Sequence, residues 1–204
     1  MPAYFSIDIS IRKKDIYEGI YADFIDLLQV QGLKFAGGYR EFMDETLEEI
    51  ISWNEEKLLE DFSIGVDEHY SHDFRQVCFD YRSFSEVRMF ILNVKEDDEF
   101  NFIIIIPEDE LIQVKGGRFS YKPEIMADLK QLIVKIWDFE SVAAIQTTLE
   151  LSGETTSVND LEKGALPMIV PFAVIPKRWM NDDLGEGISV TPIAGDGVLL
   201  EDIQ

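Results

Sequence analysis

The segment VKEDDEFNFIIIIPEDEL, residues 94–111, contains the most apolar run of the chain and has acidic residues on both sides of that run. Residues 100–106 are aromatic or β-branched except for one asparagine, and Pro107 ends the run. This composition is typical of a strand in the interior of a sheet. Residues 87–95 have a similar composition, so we predict two neighbouring strands joined by a hairpin turn at residues 96–99.

The part of the chain before this segment contains both the two-residue periodicity of strands and the helical spacing of apolar residues. The alternation of apolar and polar residues over 5–11 predicts a strand with one buried face. Asp15 and Glu18 have capping-box spacing and are predicted to begin a helix that ends at Gly32. The other predicted elements here are a short apolar segment over 33–36, a Gly37-Gly38 turn, a helix over 41–61 and a strand over 75–81.

The part after the segment predicts a third helix and more strands. A helical stripe of apolar residues runs from Pro123 to Trp137, after a glycine turn at 115–118. Residues 153–164 are polar and predict a loop. The further predicted strands are 142–151, 168–175, 188–193 and 198–200.

This order of elements predicts an α+β fold. Several strands follow one another in the middle of the chain, which favours a largely antiparallel sheet with about three helices packed on one face. We expect residues 1–204 to form a single domain, with the weakest seam at 152–166.

The charge of the chain restricts its partners. It has 40 acidic and 18 basic residues, a formal charge of −22, and 46% hydrophobic residues. Such an excess of negative charge disfavours binding to nucleic acid and to anionic membranes, because both would be repelled. It favours attraction of a basic protein.

The sequence also favours a cytoplasmic location. Cys78 is the single cysteine, so an internal disulfide is impossible. No secretory signal is recognisable at the start, and no apolar run reaches the ~20 residues of a membrane-spanning helix. We expect a monomer or a small homo-oligomer.

The sequence offers little support for catalysis. Both histidines, His69 and His72, lie in the acidic segment DEHYSHD at 67–73, whose residue types are those of metal ligands. Their spacing does not match the helical zincin pattern, and a polar surface loop explains the segment without a metal. No nucleophile-elbow pattern is present. We therefore predict no catalytic residues, no metal and no cofactor.

The acidic residues themselves are the candidate site. Acidic residues beside an apolar strand also protect that strand from edge-to-edge aggregation, but this role needs only a few charges. Trp179 follows two basic residues and is a candidate interface anchor. The predicted partner-binding residues are Glu48, Glu49, Glu96, Asp97, Asp98, Glu99, Glu108, Asp109, Glu110 and Trp179.

Several short motifs resemble one known family. FAGGYREF leads into the second helix, KIWDFESVAAI ends the third, and PKRWM and GISVTP lie near the end of the chain. This layout resembles the α+β immunity proteins of bacterial polymorphic-toxin systems, in particular the family called immunity protein fifty-two. The best-matching positions are Trp137, Asp138 and Trp179. The resemblance implies a protein that binds and blocks a cognate toxin, often a basic nuclease-like domain, without a cofactor or catalytic residues.

The expected function is therefore a cytoplasmic binding protein that neutralises a basic protein, most plausibly a bacterial toxin, by occlusion. Two alternatives remain open at this point. One is a metal-dependent enzyme that uses His69 and His72 with nearby carboxylates. The other is a structural or assembly component, for example of a phage or a secretion apparatus.

Overall fold

The computed structural model describes residues 3–60, 74–115, 118–181, 184–185 and 187–202. The strands within these residues are β1 (Tyr4–Arg12), β2 (Lys34–Gly38), β3 (Val77–Asp80), β4 (Val87–Val94), β5 (Glu99–Pro107), β6 (Ile112–Lys115), β7 (Arg118–Tyr121), β8 (Val142–Leu149), β9 (Phe172–Pro176), β10 (Ser189–Pro192) and β11 (Gly197–Glu201). The α-helices are α1 (Ile20–Val30), α2 (Leu47–Leu59), α3 (Glu108–Leu111), α4 (Pro123–Ile136) and α5 (Val158–Glu162).

Nine of the described strands form one sheet in the order β10-β11-β9-β8-β1-β5-β4-β3-β2, and β6 pairs with β7 in a separate hairpin. Neighbouring strands of the large sheet run antiparallel. The α+β class and the largely antiparallel sheet are thus confirmed. The apolar run of the opening segment is β5, which pairs with β1 on one side and β4 on the other. Its composition fits this interior position because both of its faces are buried.

The main core lies on one face of the sheet. Strand alternation directs the apolar residues of β1 and the even-numbered apolar residues of β5 to this face, where α1, α2 and α4 cover them. Phe102 contacts Tyr21 and Phe24 edge to face, with ring centroids 6.0 and 5.1 Å away. The three long helices therefore share one face, as the sequence predicts.

A smaller core lies on the opposite face, and its helix corrects the prediction for residues 153–164. These residues are not all loop: Val158 and Leu161 of α5 are buried against Ala173, Ile175 and other residues of β8, β9 and β11. The Ser157 side chain caps α5 by accepting a hydrogen bond from the amide of Asp160 at 3.2 Å. A single turn of helix has too few residues to produce a recognisable apolar periodicity.

The predicted start of the first helix is wrong. Residues 13–15 form a 3₁₀ turn, and α1 begins at Ile20 after Gly19, whose φ is +96°. The first amides of α1 donate instead to the Glu55 carboxylate, including that of Tyr21 at 2.6 Å. A carboxylate supplied by α2 therefore takes the place of the local cap.

The second helix begins later than predicted. Thr46 and Glu49 form a reciprocal capping box, so α2 starts at Leu47 rather than near residue 41. Gly37 and Gly38 are part of β2, not a simple turn. A Cβ atom at Gly38 would collide with the carbonyl of Phe42, so close passage of the chain requires glycine there.

The third helix agrees with the prediction, since α4 begins at Pro123 and ends at Ile136, beside Trp137. The sequence did not predict the short strands β6 and β7. Residues 116 and 117 of the predicted turn at 115–118 lie outside the described residues. None of the described helices combines the length and the apolar composition needed to cross a membrane.

Candidate functional site

An acidic cleft lies on the second face of the sheet, where α5 and the smaller core do not cover β4, β5 and β1. Its volume is about 470 Å³. Residues 153–157 form one wall, which we call the 153–157 wall, and β4 forms the other. The described lining residues are Ser6, Asp8, Phe90, Leu92, Val94, Asp97, Glu99, Asn101, Ile103, Thr148, Gly153, Glu154, Thr155 and Ser157.

Asp8 lies on the floor of this cleft in the central strand β1. It pairs with Ile103 of β5 and Gln146 of β8 in the sheet register. The residue is 8% exposed, and its carboxylate forms no hydrogen bond or ion pair with the described residues. Burial raises the pKa of Asp8 to about 7.

Two polar side chains near Asp8, those of Ser10 and Gln146, bind other groups. Ser10 donates to the side-chain oxygen of Asn101 at 2.8 Å. Gln146 donates to the carbonyl of Thr156 at 2.7 Å and accepts from the amides of Thr156 and Met168 at 3.0 and 2.8 Å. Gln146 therefore anchors the 153–157 wall, where its side-chain oxygen and one of its two N–H groups are engaged.

Glu99 fixes the other end of the wall. Its carboxylate accepts a hydrogen bond from the amide of Val158 at 3.0 Å, and the residue is 2% exposed. Burial raises the pKa of Glu99, while the Val158 amide opposes this rise. Asn159 donates to the Asp97 carbonyl at 2.9 Å and ties the 95–97 turn to α5. These bonds hold the cleft in a defined shape before any partner arrives.

The cleft combines negative charge with an apolar wall. Phe90 and Val94 of β4 are half-buried beside the cleft, and Leu92 is 38% exposed. Asp8, Asp97, Glu99 and Glu154 supply four carboxyl groups, and none of the described lining residues is lysine, arginine or histidine. Such a cleft suits a cation that carries an aliphatic or aromatic part.

The carboxylates of the cleft are not arranged as a metal site. Within the described part of the chain, no group of three or more acidic, histidine or cysteine side chains is placed to hold a metal ion. The segment with His69 and His72 lies outside the described residues.

The two predicted acidic blocks lie far apart. Glu96, Asp97 and Asp98 precede β5, and Glu108, Asp109 and Glu110 follow it. A nine-residue strand separates them by about 27 Å. The first block adjoins the cleft, because Asp97 lines it. The second block lies at the other end of β5. The structure therefore does not bring the ten predicted residues into one patch.

Several predicted residues already bind other parts of the chain. Glu110 accepts hydrogen bonds from the amide and the hydroxyl of Ser85, and Glu108 accepts from the amide of Glu150 at 3.4 Å. Because Glu99 is buried under α5, it is not available as a surface contact.

Glu48 and Glu49 line a separate, shallower hollow of about 380 Å³ with Trp53 and Arg75. Hydrogen bonds from the amide and hydroxyl of Thr46 lower the pKa of Glu49. The Arg75 guanidinium lies over the Trp53 ring and pairs with Glu45 at 2.7 Å. This hollow already contains a cation.

Trp179 lies in a 3₁₀ turn after β9 and is half-buried against the smaller core. The Arg178 guanidinium is 5.3 Å from the centre of its ring. Trp179 does not line the cleft.

The sequence analysis missed Asp8, Asn101 and Glu154 as site residues. One signal was present: Ser6, Asp8 and Ser10 form a polar row on a strand whose other face is apolar. A polar row on an interior strand indicates a sheet face without an apolar cover.

The fold and the cleft define an α+β protein with an acidic groove on the second face of an antiparallel sheet, beside the smaller core. No protein-family model matches the chain, and no curated protein matches it. Among solved structures it is similar to the Pseudomonas aeruginosa T6SS protein PA0821, with 9% sequence identity and a TM-score of 0.41. The match covers 98% of this chain and 65% of that chain.

Proposed function

We propose that this chain is a binding protein that neutralises a basic protein by covering its functional surface. The partner class that the family resemblance implies is a bacterial toxin domain. The contact surface is the acidic cleft together with the adjoining residues Glu96, Asp97 and Asp98. No catalytic step is part of this proposal.

The observation that carries the proposal is the composition of the cleft. Its described lining contains no cation and four carboxyl groups beside an apolar wall, and three of these carboxyl groups remain once the buried Glu99, bound to the Val158 amide, is set aside. A basic protein surface complements both properties, because its lysines and arginines have charged heads and aliphatic stems.

The distribution of cations supports the same partner class. Several of the arginines are paired with the chain's own carboxylates: Arg12 with Glu162 at 2.6 Å, Arg75 with Glu45 at 2.7 Å, and Arg88 with Glu86. The 40 acidic residues outnumber the 18 basic ones, which gives the formal charge of −22. Such an excess accelerates encounter with a basic partner and opposes encounter with acidic proteins.

The first test is the salt dependence of binding. The partner would be isolated from the native host on the tagged chain at low salt, identified, purified and titrated in a calorimeter. We expect a basic protein whose Kd rises on the order of a hundredfold between about 50 and about 500 mM salt, because screening weakens exposed charge pairs. Recovery of no basic protein, or a Kd insensitive to salt, would contradict the proposal.

Two matched triple variants locate the surface. Glu96→Gln, Asp97→Asn and Asp98→Asn together should weaken binding about tenfold or more, because these charges adjoin the cleft. Glu108→Gln, Asp109→Asn and Glu110→Gln remove as many charges at the other end of β5 and should change Kd much less. The reverse ranking would place the contact surface away from the cleft. Co-expression with the partner then shows whether the wild-type chain suppresses the partner's activity.

A further inference from the structure

We infer that the cleft receives one arginine or lysine side chain of a partner protein segment, with the cationic head at Asp8 and the aliphatic stem along β4. This inference rests on the proposed function and specifies its contact. The occupant is a side chain of a protein, not a free ion.

The first argument is that Asp8 has no partner of its own. Asp8 is 8% exposed, and a carboxylate that lacks a hydrogen bond or ion pair with the described residues is costly to keep ionised at such a position. The neighbouring groups are not placed by chance, since Gln146 and Ser10 are both held by other partners. An unpaired acid in such an organised environment is explained by a cation that binds there.

The second argument concerns the shape of the cation. Leu92, Phe90 and Ile103 provide an apolar surface next to Asp8. Arginine and lysine have three or four methylene groups below the charged head, and these groups gain from contact with such a surface. A bare metal ion would gain nothing from it, and the cleft carboxylates do not form a metal-binding group among the described residues.

The third argument is that the site is already formed. Gln146, Glu99 and Asn159 hold the wall, the helix α5 and the 95–97 turn by hydrogen bonds of 2.7 to 3.0 Å. A preformed cleft loses little conformational entropy on binding, so a single buried cation contributes strongly to affinity.

The test uses a small probe that requires no knowledge of the natural partner. The blocked tripeptide leucyl-arginyl-leucine amide is titrated into the isotopically labelled protein and followed by two-dimensional amide NMR. An otherwise identical peptide with the neutral isostere citrulline is the matched control. We expect saturable shifts at the amides around Asp8 and Ile103 with the arginine peptide and not with the citrulline peptide.

Two variants distinguish the contribution of the Asp8 carboxylate to peptide binding from that of the overall negative charge. Asp8→Asn should weaken binding of the arginine peptide about tenfold to a hundredfold, the range for loss of a charge-assisted hydrogen bond. Glu124→Gln removes the same charge from an exposed position on α4 and should leave the affinity unchanged.

Binding to the wild type should also strengthen as the pH rises towards about 7, because a cation favours the ionised form of Asp8. Asp97, Glu99 and Glu154 also line the cleft, so Asp8→Asn identifies the part of this pH dependence that is due to Asp8.

The outcomes distinguish this inference from the proposed function. If the peptide causes no saturable shift, shifts residues elsewhere, or binds Asp8→Asn equally well, the inference is wrong even if a basic protein binds the chain. If spermidine binds at Asp8 and the tripeptide does not, the occupant is a polyamine and the inference is overturned. If the tripeptide binds as expected but no basic protein is recovered from the host, the cleft's preference for an arginine side chain stands and the proposed function fails.

Discussion

Asp8→Asn should increase the free energy of unfolding by about 4 kcal/mol at about pH 8, and by much less at about pH 4. The native carboxyl group has a pKa of about 7 because it is buried, whereas its ordinary value is 3.8. Between these two values the unfolded chain releases the proton and the native protein retains it, so stability falls as the pH rises. Above about pH 7 the loss is complete. Asparagine has nearly the shape of the protonated acid and avoids this cost.

Urea unfolding of both proteins across the pH range measures the effect. The other carboxylates of the chain also titrate, so the relevant quantity is the difference between the two proteins at each pH. The gain should grow between about pH 4 and about pH 7 and then level off. A gain that is independent of pH, or a variant less stable than the wild type at about pH 8, would show that Asp8 is not a buried, unpaired acid.

The second large effect is expected at Gln146. Gln146→Ala leaves the carbonyl and the amide of Thr156 and the amide of Met168 without their side-chain partner. Gln146 itself is 1% exposed. These three hydrogen bonds are partly buried, and the loss of each costs on the order of 1 kcal/mol, so the free energy of unfolding should fall by about 3 kcal/mol.

Gln29→Ala is the matched control for this prediction, because Gln29 is exposed on α1. Its replacement should change the free energy of unfolding by no more than about 0.5 kcal/mol. Gln146→Ala should also weaken binding of the arginine tripeptide, since the 153–157 wall loses its anchor. Equal stability of the two variants in urea unfolding would mean that Gln146 does not organise the wall.

The expected gain at Asp8 and the expected loss at Gln146 have different meanings. Gln146 stabilises the fold and shapes the cleft at the same time. Asp8 lowers the stability of the free protein at neutral pH, and a residue with that property requires a compensating role. Binding of a cation supplies one, because it lowers the free energy of the ionised carboxylate.

Much of the fold follows from local sequence patterns. The alternation in β1, the β-branched run of β5 and the apolar stripe of α4 each encode an element directly, so these elements occur where the sequence predicts them. Element boundaries depend on distant residues. The start of α1 is determined by Glu55, which lies 34 residues beyond Tyr21, and no local pattern contains that information.

The candidate site was less accessible to sequence reasoning. Asp8 and Asn101 are 93 positions apart in the chain, and only the pairing of β1 with β5 brings both into the same cleft. The two acidic blocks had the opposite problem. They are close in sequence, but the extended strand β5 between them places them at its two opposite ends. The net charge of a chain predicts the sign of its partner's charge but not which surface binds that partner.

The most direct test of this account is the pKa of Asp8 in the free protein, measured from its carboxyl carbon by NMR titration. The account predicts a value of about 7, and a lower value once the arginine tripeptide is bound. A value near 3.8 in the free protein would contradict it, because the carboxylate would then be solvated or already paired.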